Sequence, residues 1–293
     1  MTRIIQSLAD VSQGYDALFC DLWGCLHNGR APYPAAVAAL QGFRAGGGRV
    51  VLMTNAPRPN RYVAEQLGRL GVPGDAWDLI VSSGDAAQVA MFSGAVGRKV
   101  YHIGPEKDLG FFTDIPDEFA DAPPITRVPL EEAEGIVCTG PFDDLTETPA
   151  DYRGTLLYAK AKGLTLLCSN PDLMVDYGDK RIYCAGAIAA LYDEMGGTSL
   201  YYGKPHPPIY DLARRRLVAT GAEASNDRIL AIGDGINTDI QGGIGEGVDT
   251  LFVTGGLEAE AFGPDVEAPD AERLEAWLDE RQLSPTYSIG RLR

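Results

Sequence analysis

The chain carries at positions 17–24 the stretch Ala17-Leu18-Phe19-Cys20-Asp21-Leu22-Trp23-Gly24, in which an apolar run ends in one carboxylate and a glycine. An apolar run of this length that stops at turn-forming residues is typical of a buried β-strand. The carboxylate of Asp21 is therefore expected at the end of a strand. By itself the pattern is weak, because Asp often follows strands for purely local reasons.

The first hundred residues alternate between strand and helix patterns. Buried strands are predicted at 17–20, 49–53 and 79–81, and helices at 34–46 and 60–70. This order predicts an α/β fold, a parallel sheet with helices on both faces, in which ligands bind beyond the carboxyl ends of the strands. Asp21 and Thr54 both lie at such ends.

A second set of α/β patterns follows. Strands are predicted at 99–103, 135–139 and 164–168, and a helix at 185–195. We expect residues 84–186 to form an inserted α/β domain, and 1–83 with 187–293 to form the core, which would resume with a strand at 200–202. A length of 293 residues suits about two domains.

The composition of the chain limits the partners it can bind and indicates its location in the cell. The net charge of −16, without a basic block to offset it, argues against nucleic acid or an anionic membrane as partner. No apolar run approaches the roughly 18 residues of a membrane span. The first residues lack a signal-peptide pattern, and the five cysteines are scattered, so we expect reduced thiols in a cytoplasmic protein.

Four predicted strand ends, the fourth being that of a buried strand at 228–232, carry groups with complementary chemistry. A carboxylate can attack phosphorus only if the repulsion between the two anions is cancelled. Mg²⁺ held by Asp21 and Asp234, together with the ammonium of Lys204, would cancel it. The Thr54 hydroxyl and the Asn55 backbone N–H would bind the other phosphoryl oxygens. The set predicts magnesium-assisted attack of a carboxylate on phosphorus.

Four ordered motifs carry a family resemblance: D-x-W-G at 21–24, V-L-M-T-N at 51–55, Y-G-K-P-H-P at 202–207 and G-D-G-I-N-T-D-I at 233–240. This series resembles the motifs of the haloacid dehalogenase-like (HAD) superfamily. The inserted region, with C-S-N-P-D at 168–172, is similar to subclass IIA, the NagD-like, p-nitrophenyl and pyridoxal-phosphate phosphatases. The resemblance implies a Rossmann-like core, an inserted cap of C2 type and a Mg²⁺-dependent phosphatase, and it leaves a homodimer open.

Carried over by position, the resemblance assigns roles to the motif residues. Asp21 would be the nucleophile that forms an aspartyl-phosphate, with Lys204 holding it and the phosphoryl group. Asp21 and Asp234 would bind the metal, with Asp239 in or beside its shell. Thr54 would bind phosphate.

Two further positions follow from the same resemblance. The backbone carbonyl of Trp23 would be a metal ligand, and Arg61 stands where relatives keep an arginine. Trp23 is also a departure, because phosphatases of the superfamily carry a second Asp there as general acid and base. Either the leaving group needs little protonation, or His27 substitutes, or activity is weak or lost. A positioned acid is worth about 10²–10⁴ in rate.

Two other functions stay open at this point. A metal-independent dehalogenase would have an aromatic residue at position 23, but its cap would lie between the first two motifs. A metabolite-binding protein that lost the general acid is the second alternative. We expect His27 to be an exposed loop residue, His206 to orient its loop, and residues 171–183, among them Asp176 and Asp179, to set specificity.

Overall fold

A computed structural model describes residues 2–177 and 180–293. The chain forms two compact units, the first comprising Met1–Thr54, Ala64–Val81 and Tyr210–Arg293, and the second Asn55–Val63 and Ser82–Ile209. Each unit contains a sheet with parallel strand pairs, which confirms the predicted α/β class. As a division into domains, the boundaries at residues 83 and 186 stay a prediction.

The first unit contains a seven-stranded sheet. Its strands in spatial order are Arg3–Ile4, Tyr287–Ile289, Asp249–Val253, Ile229–Gly233, Ala17–Cys20, Arg49–Thr54 and Leu79–Ser82. The two central strands, Ile229–Gly233 and Ala17–Cys20, are buried along their whole length, as continuous apolar runs in a parallel sheet require. They pair in parallel with Cys20 opposite Ile232, so the residues that follow them leave the same edge of the sheet.

The second unit contains a five-stranded sheet and a separate antiparallel pair. The five strands in spatial order are Thr198–Tyr201, Thr165–Cys168, Gly135–Cys138, Lys99–Ile103 and Thr126–Arg127, all parallel. The antiparallel pair is Met174–Tyr177 with Lys180–Tyr183.

The assignment of the strand near residue 200 to the first sheet is wrong. Thr198–Tyr201 pairs in parallel along Thr165–Cys168, with Tyr201 opposite Cys168. Parallel partners need not be close in sequence, so the order of elements along the chain could not distinguish the two sheets.

The α-helices span Pro34–Ala45, Asn60–Leu70, Ser83–Phe92, Gly110–Thr113, Arg153–Ala161, Ala185–Glu194, Pro207–Ala219, Gln241–Gly245 and Ala271–Arg281. In the part of the chain that the structure describes, none of these helices combines the length and apolarity needed to cross a membrane. Helix Ser83–Phe92 was not predicted. It begins where only a strand end was expected, because Ser82 and Asp85 cap its first turn reciprocally.

Candidate active site

Two buried carboxylates lie side by side at the carboxyl edge of the first sheet. Asp21 and Asp234 directly follow the neighbouring strands Ala17–Cys20 and Ile229–Gly233, and the Asp21 N–H donates to the Ile232 carbonyl at 2.8 Å. Their side-chain oxygens and the Cys25 sulfur can all lie within 4.8 Å of one another. Only 9% of Asp21 and 4% of Asp234 is exposed. Two ionised carboxylates this close repel each other, which a bound cation relieves.

The backbone around Asp234 leaves no room for a side chain at position 24 or position 256. Gly24 has a φ of +71°, and a Cβ there would lie 1.8 Å from Asp234 Oδ2. A Cβ at Gly256 would lie 2.0 Å from the same oxygen. The Leu257 N–H donates to Oδ2 at 2.9 Å. The Asp234 carboxylate is therefore held in a glycine-walled cradle, and its pairing with Asp21 suits Mg²⁺, which prefers oxygen ligands.

Cys25 is the third member of this group, and its closeness to the two carboxylates was not predicted. It is buried, like the four other cysteines, and all five thiols are free, as predicted. Burial, reinforced by the nearby Asp234 and Asp21 carboxylates, raises the pKa of the Cys25 thiol well above its ordinary value. The thiol therefore stays protonated at neutral pH. The feature of the sequence that could have indicated this closeness is the position of Cys25 in the same short loop as Asp21 and Gly24.

Asp239 lies on the same loop as Asp234 but makes different contacts. Its Oδ2 accepts the Gly235 N–H at 3.2 Å and the Thr238 hydroxyl at 3.3 Å. A Cβ at Gly233 would lie 2.0 Å from its Cγ, so the carboxylate packs against its own loop. Within residues 2–177 and 180–293 the candidate metal group contains Asp21, Cys25 and Asp234. These contacts suit a residue that shapes the loop, and a catalytic role for Asp239 stays a prediction.

Trp23 and His27 pack against each other in the loop after Asp21. The Trp23 ring is 45% exposed and covers Gly29, where a Cβ would lie 2.2 Å from the indole. The two rings meet edge to face, with centroids 5.2 Å apart. A metal contact through the Trp23 carbonyl stays a prediction.

The expectation that His27 is an exposed loop residue is wrong, because only 1% of it is exposed. Its Nδ1 accepts the Gly29 N–H at 3.0 Å, and burial lowers its pKa to about 4. The imidazole is therefore neutral at pH 7, with Nδ1 already engaged. This arrangement does not favour His27 as a substitute for the general acid.

The Thr-Asn and Lys motifs provide buried polar groups. Thr54 ends strand Arg49–Thr54 and is 5% exposed, whereas Asn55 and Lys204 belong to the second unit and are 5% and 4% exposed. The Asn55 amide bonds to both backbone groups of Lys204 and to Asp172. From the sequence we predicted only a backbone contact for Asn55. These hydrogen bonds of its side chain were not predicted.

Two further predicted residues are held by neighbours within the second unit. The Arg61 side chain, 56% exposed, forms an ion pair with Asp114 and donates to the Tyr62 hydroxyl at 2.8 Å. A substrate phosphate would have to compete with Asp114 for Arg61. His206 stacks on Tyr201 with ring centroids 5.0 Å apart, which suits the predicted loop-orienting role.

The segment 171–183, predicted to set specificity, contains the antiparallel pair Met174–Tyr177 and Lys180–Tyr183. Lys180 and Arg181 are exposed there. Asp179 lies outside the described residues. The predicted role of the segment therefore stays a prediction.

The fold and the paired carboxylates define an α/β protein with a candidate metal site at the edge of a parallel sheet. Residues 18–115 match the model of haloacid dehalogenase-like hydrolases, and residues 201–274 match a second, HAD-hydrolase-like model. A haloacid dehalogenase-like hydrolase from Brucella suis is 38% identical, with a TM-score of 0.82 over 99% of this chain and 100% of that one. This chain belongs to the haloacid dehalogenase-like hydrolase family, as the motifs predicted.

More distant relatives identify the subclass as IIA. D-glycerol 3-phosphate phosphatase of Mycobacterium tuberculosis is 27% identical over 86% of this chain and 66% of the relative. Ribonucleotide monophosphatase NagD of Escherichia coli is 24% identical over 83% of this chain and 88% of the relative. A glycerol phosphate phosphatase structure from M. tuberculosis, in complex with magnesium, is 23% identical with a TM-score of 0.66 over 97% of this chain and 77% of that one.

Proposed function

We propose that this hydrolase is a Mg²⁺-dependent phosphatase that cleaves a small phosphorylated metabolite through an aspartyl-phosphate on Asp21. The observation that carries the proposal is the buried pair of carboxylates, Asp21 and Asp234, at the ends of neighbouring strands. The glycerol phosphate and ribonucleotide phosphatases among the relatives support the substrate class. The magnesium complex of one relative supports the choice of ion.

The chemistry consists of two displacements at phosphorus. An Asp21 carboxylate oxygen forms a bond to phosphorus while the ester P–O bond breaks, and the leaving oxygen takes up a proton from solvent water. Water then attacks the phosphorus and the P–O bond to Asp21 breaks, which restores the Asp21 carboxylate and releases inorganic phosphate, with one proton returned to solvent. Asp21 and Asp234 would hold Mg²⁺, whose positive charge would offset the repulsion between carboxylate and phosphate.

The other motif residues bind the phosphoryl oxygens in this proposal. The Thr54 hydroxyl and the Asn55 backbone N–H donate hydrogen bonds, and the Lys204 ammonium supplies charge. Donors and charges that are in place before the reaction stabilise the transition state without reorganisation. The low exposure of all three residues supports this role, because the interactions strengthen away from water.

Trp23 restricts the substrates in this proposal. An indole N–H cannot exchange protons as a carboxylic acid does, and the neutral His27 does not replace it. We infer that the enzyme favours phosphate esters whose leaving group departs easily. A cytoplasmic location, which the five buried free thiols favour, and a homodimer belong to the same proposal.

One observation favours a second candidate, a metabolite-binding protein without turnover, namely the absence of a carboxylate at position 23. An assay with an aryl phosphate, with and without Mg²⁺, separates the two. The proposal expects turnover that is lost on chelation and in Asp21→Asn. Tight binding of phosphate without turnover would support the second candidate. Metal-independent halide release from a haloacid, offered in a parallel assay, would support a dehalogenase.

A further inference from the structure

The side-chain amide of Asn55 connects two segments of the second unit. Its Oδ1 accepts the Lys204 N–H at 2.7 Å, and its Nδ2 donates to the Lys204 carbonyl at 3.0 Å. Nδ2 also donates to Asp172 Oδ1 at 2.8 Å. An amide side chain offers two N–H donors and one oxygen acceptor, so each of these groups has a partner.

The segments that Asn55 joins follow neighbouring strands. Asp172 follows strand Thr165–Cys168 and Lys204 follows Thr198–Tyr201, and the two strands pair in parallel. The Asp172 N–H donates in turn to Asn170 Oδ1 at 2.9 Å. Because Asn55 and Lys204 are almost fully buried, these bonds are shielded from water, which strengthens them.

The backbone before Lys204 packs closely against the same amide. A Cβ at Gly203 would lie 2.6 Å from Asn55 Oδ1, from Ser83 Oγ and from a Pro171 side-chain carbon. Real Cβ atoms essentially never come so near, so the loop can approach Asn55 only with glycine at this position. The contact therefore fixes the loop sterically as well as through hydrogen bonds.

We propose that Asn55 is a positioning residue for Lys204. Its amide fixes the backbone from which the lysine side chain extends and ties it to Asp172, which gives the C-S-N-P-D stretch at 168–172 a role. This inference rests on the proposed function, in which the Lys204 ammonium stabilises charge on the phosphoryl group. Misplacement of a preorganised group by about 1 Å costs about 10²-fold in rate.

A double-mutant cycle tests whether Asn55 acts through Lys204. In the native background Asn55→Ala is expected to lower kcat about 10- to 10²-fold. In the Lys204→Ala background the same change is expected to cost less than about 2-fold, because the group it positions is gone. Equal losses in both backgrounds would overturn the proposal. Asn226→Ala is the matched control, since its amide also bonds a backbone carbonyl, that of Glu246 at 2.8 Å, and kcat should not change.

A second pair of variants tests the bond to Asp172 even if Asn55→Ala does not fold. Asn55→Asp places two carboxylates together, and Asp172→Asn then restores a donor, whereas Asp172→Ala restores only the net charge. The Asn55→Asp/Asp172→Asn protein is expected to show about 5-fold higher kcat than the Asn55→Asp/Asp172→Ala protein. Equal kcat values would show that the hydrogen bond does not matter and would reject the link.

Binding of inorganic phosphate separates this inference from the proposed function. If the native chain binds phosphate but does not turn over, the phosphatase proposal fails, and the cycle is repeated with calorimetry of inorganic phosphate in Mg²⁺. Asn55→Ala is then expected to weaken phosphate binding only when Lys204 is present. Weakening to the same extent in the Lys204→Ala background would overturn the positioning role.

Discussion

The two sheets of the molecule differ in how they hold the polar groups that follow two neighbouring parallel strands. In the first unit, Asp21 and Asp234 follow neighbouring parallel strands as two like charges. In the second unit, Asp172 and Lys204 also follow neighbouring parallel strands, and the Asn55 amide bonds to both. A cation would stabilise the first pair, Asp21 and Asp234. The second pair, Asp172 and Lys204, is already held by hydrogen bonds within the protein.

This difference predicts which of the two arrangements depends on a bound metal ion. Close like charges are stable only with a counter-ion, so the arrangement in the first unit is expected to depend on Mg²⁺. A buried and fully bonded amide needs no ligand, so Lys204 is expected to keep its backbone position without metal. The variants below disturb the two arrangements in turn.

The largest effect is expected for Asp21→Asn. The amide has lost the nucleophilic oxygen and half of the charge that holds the ion, so kcat should fall at least about 10⁴-fold, as when other enzymes lose their nucleophile. Asp16→Asn is the matched control, because Asp16 is exposed and pairs with Arg228 at 2.6 Å. Steady-state rates on an aryl phosphate measure both. A rate for Asp21→Asn within tenfold of native would exclude Asp21 as nucleophile.

Lys204→Ala should have the next largest effect. Removal of one preorganised charge stabiliser typically costs about 10²–10³ in kcat. Lys162→Ala, which removes an exposed ammonium bonded to the Glu131 carbonyl at 2.6 Å, should leave kcat unchanged. An unchanged kcat in Lys204→Ala would show that Lys204 takes no part in the mechanism.

Trp23→Asp should raise the rate for substrates with poor leaving groups. A carboxylic acid at this position can protonate the leaving oxygen, and we expect a gain of about 10²-fold for an alkyl phosphate and little change for an aryl phosphate. Comparison of kcat for the two substrates measures the effect. A variant that gains equally on both, or on neither, would show that proton transfer does not limit the native enzyme.

Gly24→Ala should weaken metal binding about tenfold, because changes beside a ligand typically cost 10–10² in affinity. The added Cβ would collide with Asp234 Oδ2. Gly71→Ala is the matched control, since Gly71 also has a positive φ, +84°, but nothing within 4 Å of its Cβ position. Calorimetric titration with Mg²⁺ compares the two variants. Equal affinities would show that the cradle does not fix Asp234.

The smallest effect is expected in the pH dependence of stability. The pKa of His27 is lowered to about 4 from its ordinary 6.5, so the unfolded chain takes up the proton first. Stability should therefore fall as the pH drops from 6.5 towards 4. His27→Asn, which keeps an acceptor for the Gly29 N–H, should flatten this part of the curve of unfolding temperature against pH. The same slope in both proteins would contradict the neutral, buried imidazole.

Much of the first sheet could be predicted, because its strands are continuous apolar runs. Strand Arg49–Thr54 and helices Pro34–Ala45 and Asn60–Leu70 lie within a residue or so of the expected bounds. Sheet membership could not be predicted where it depends on pairing between distant segments, as for Thr198–Tyr201. Strand Tyr287–Ile289 was missed because three residues show no clear periodicity.

Site residues could be predicted where their chemical type and their place after a strand indicate the role. They could not be predicted where side-chain packing determines the position. Asp21 and Asp234 could be expected together, since each follows an apolar strand. The burial of His27 and the closeness of Cys25 to the carboxylates depend on how the loop turns at Gly24, which no local pattern specifies. The amide contacts of Asn55 likewise depend on the segment near Lys204, about 150 residues away.

The central claim is that Asp21 attacks phosphorus with the help of an ion shared with Asp234, and trapping the covalent intermediate tests it most directly. Native protein is mixed with substrate and Mg²⁺, quenched in acid and digested, and the peptides are mapped by mass spectrometry. The account predicts a phosphoryl group on Asp21 that is absent after chelation and in Asp234→Asn. Rapid turnover with no phosphorylated Asp21, or equal phosphorylation without metal, would contradict it.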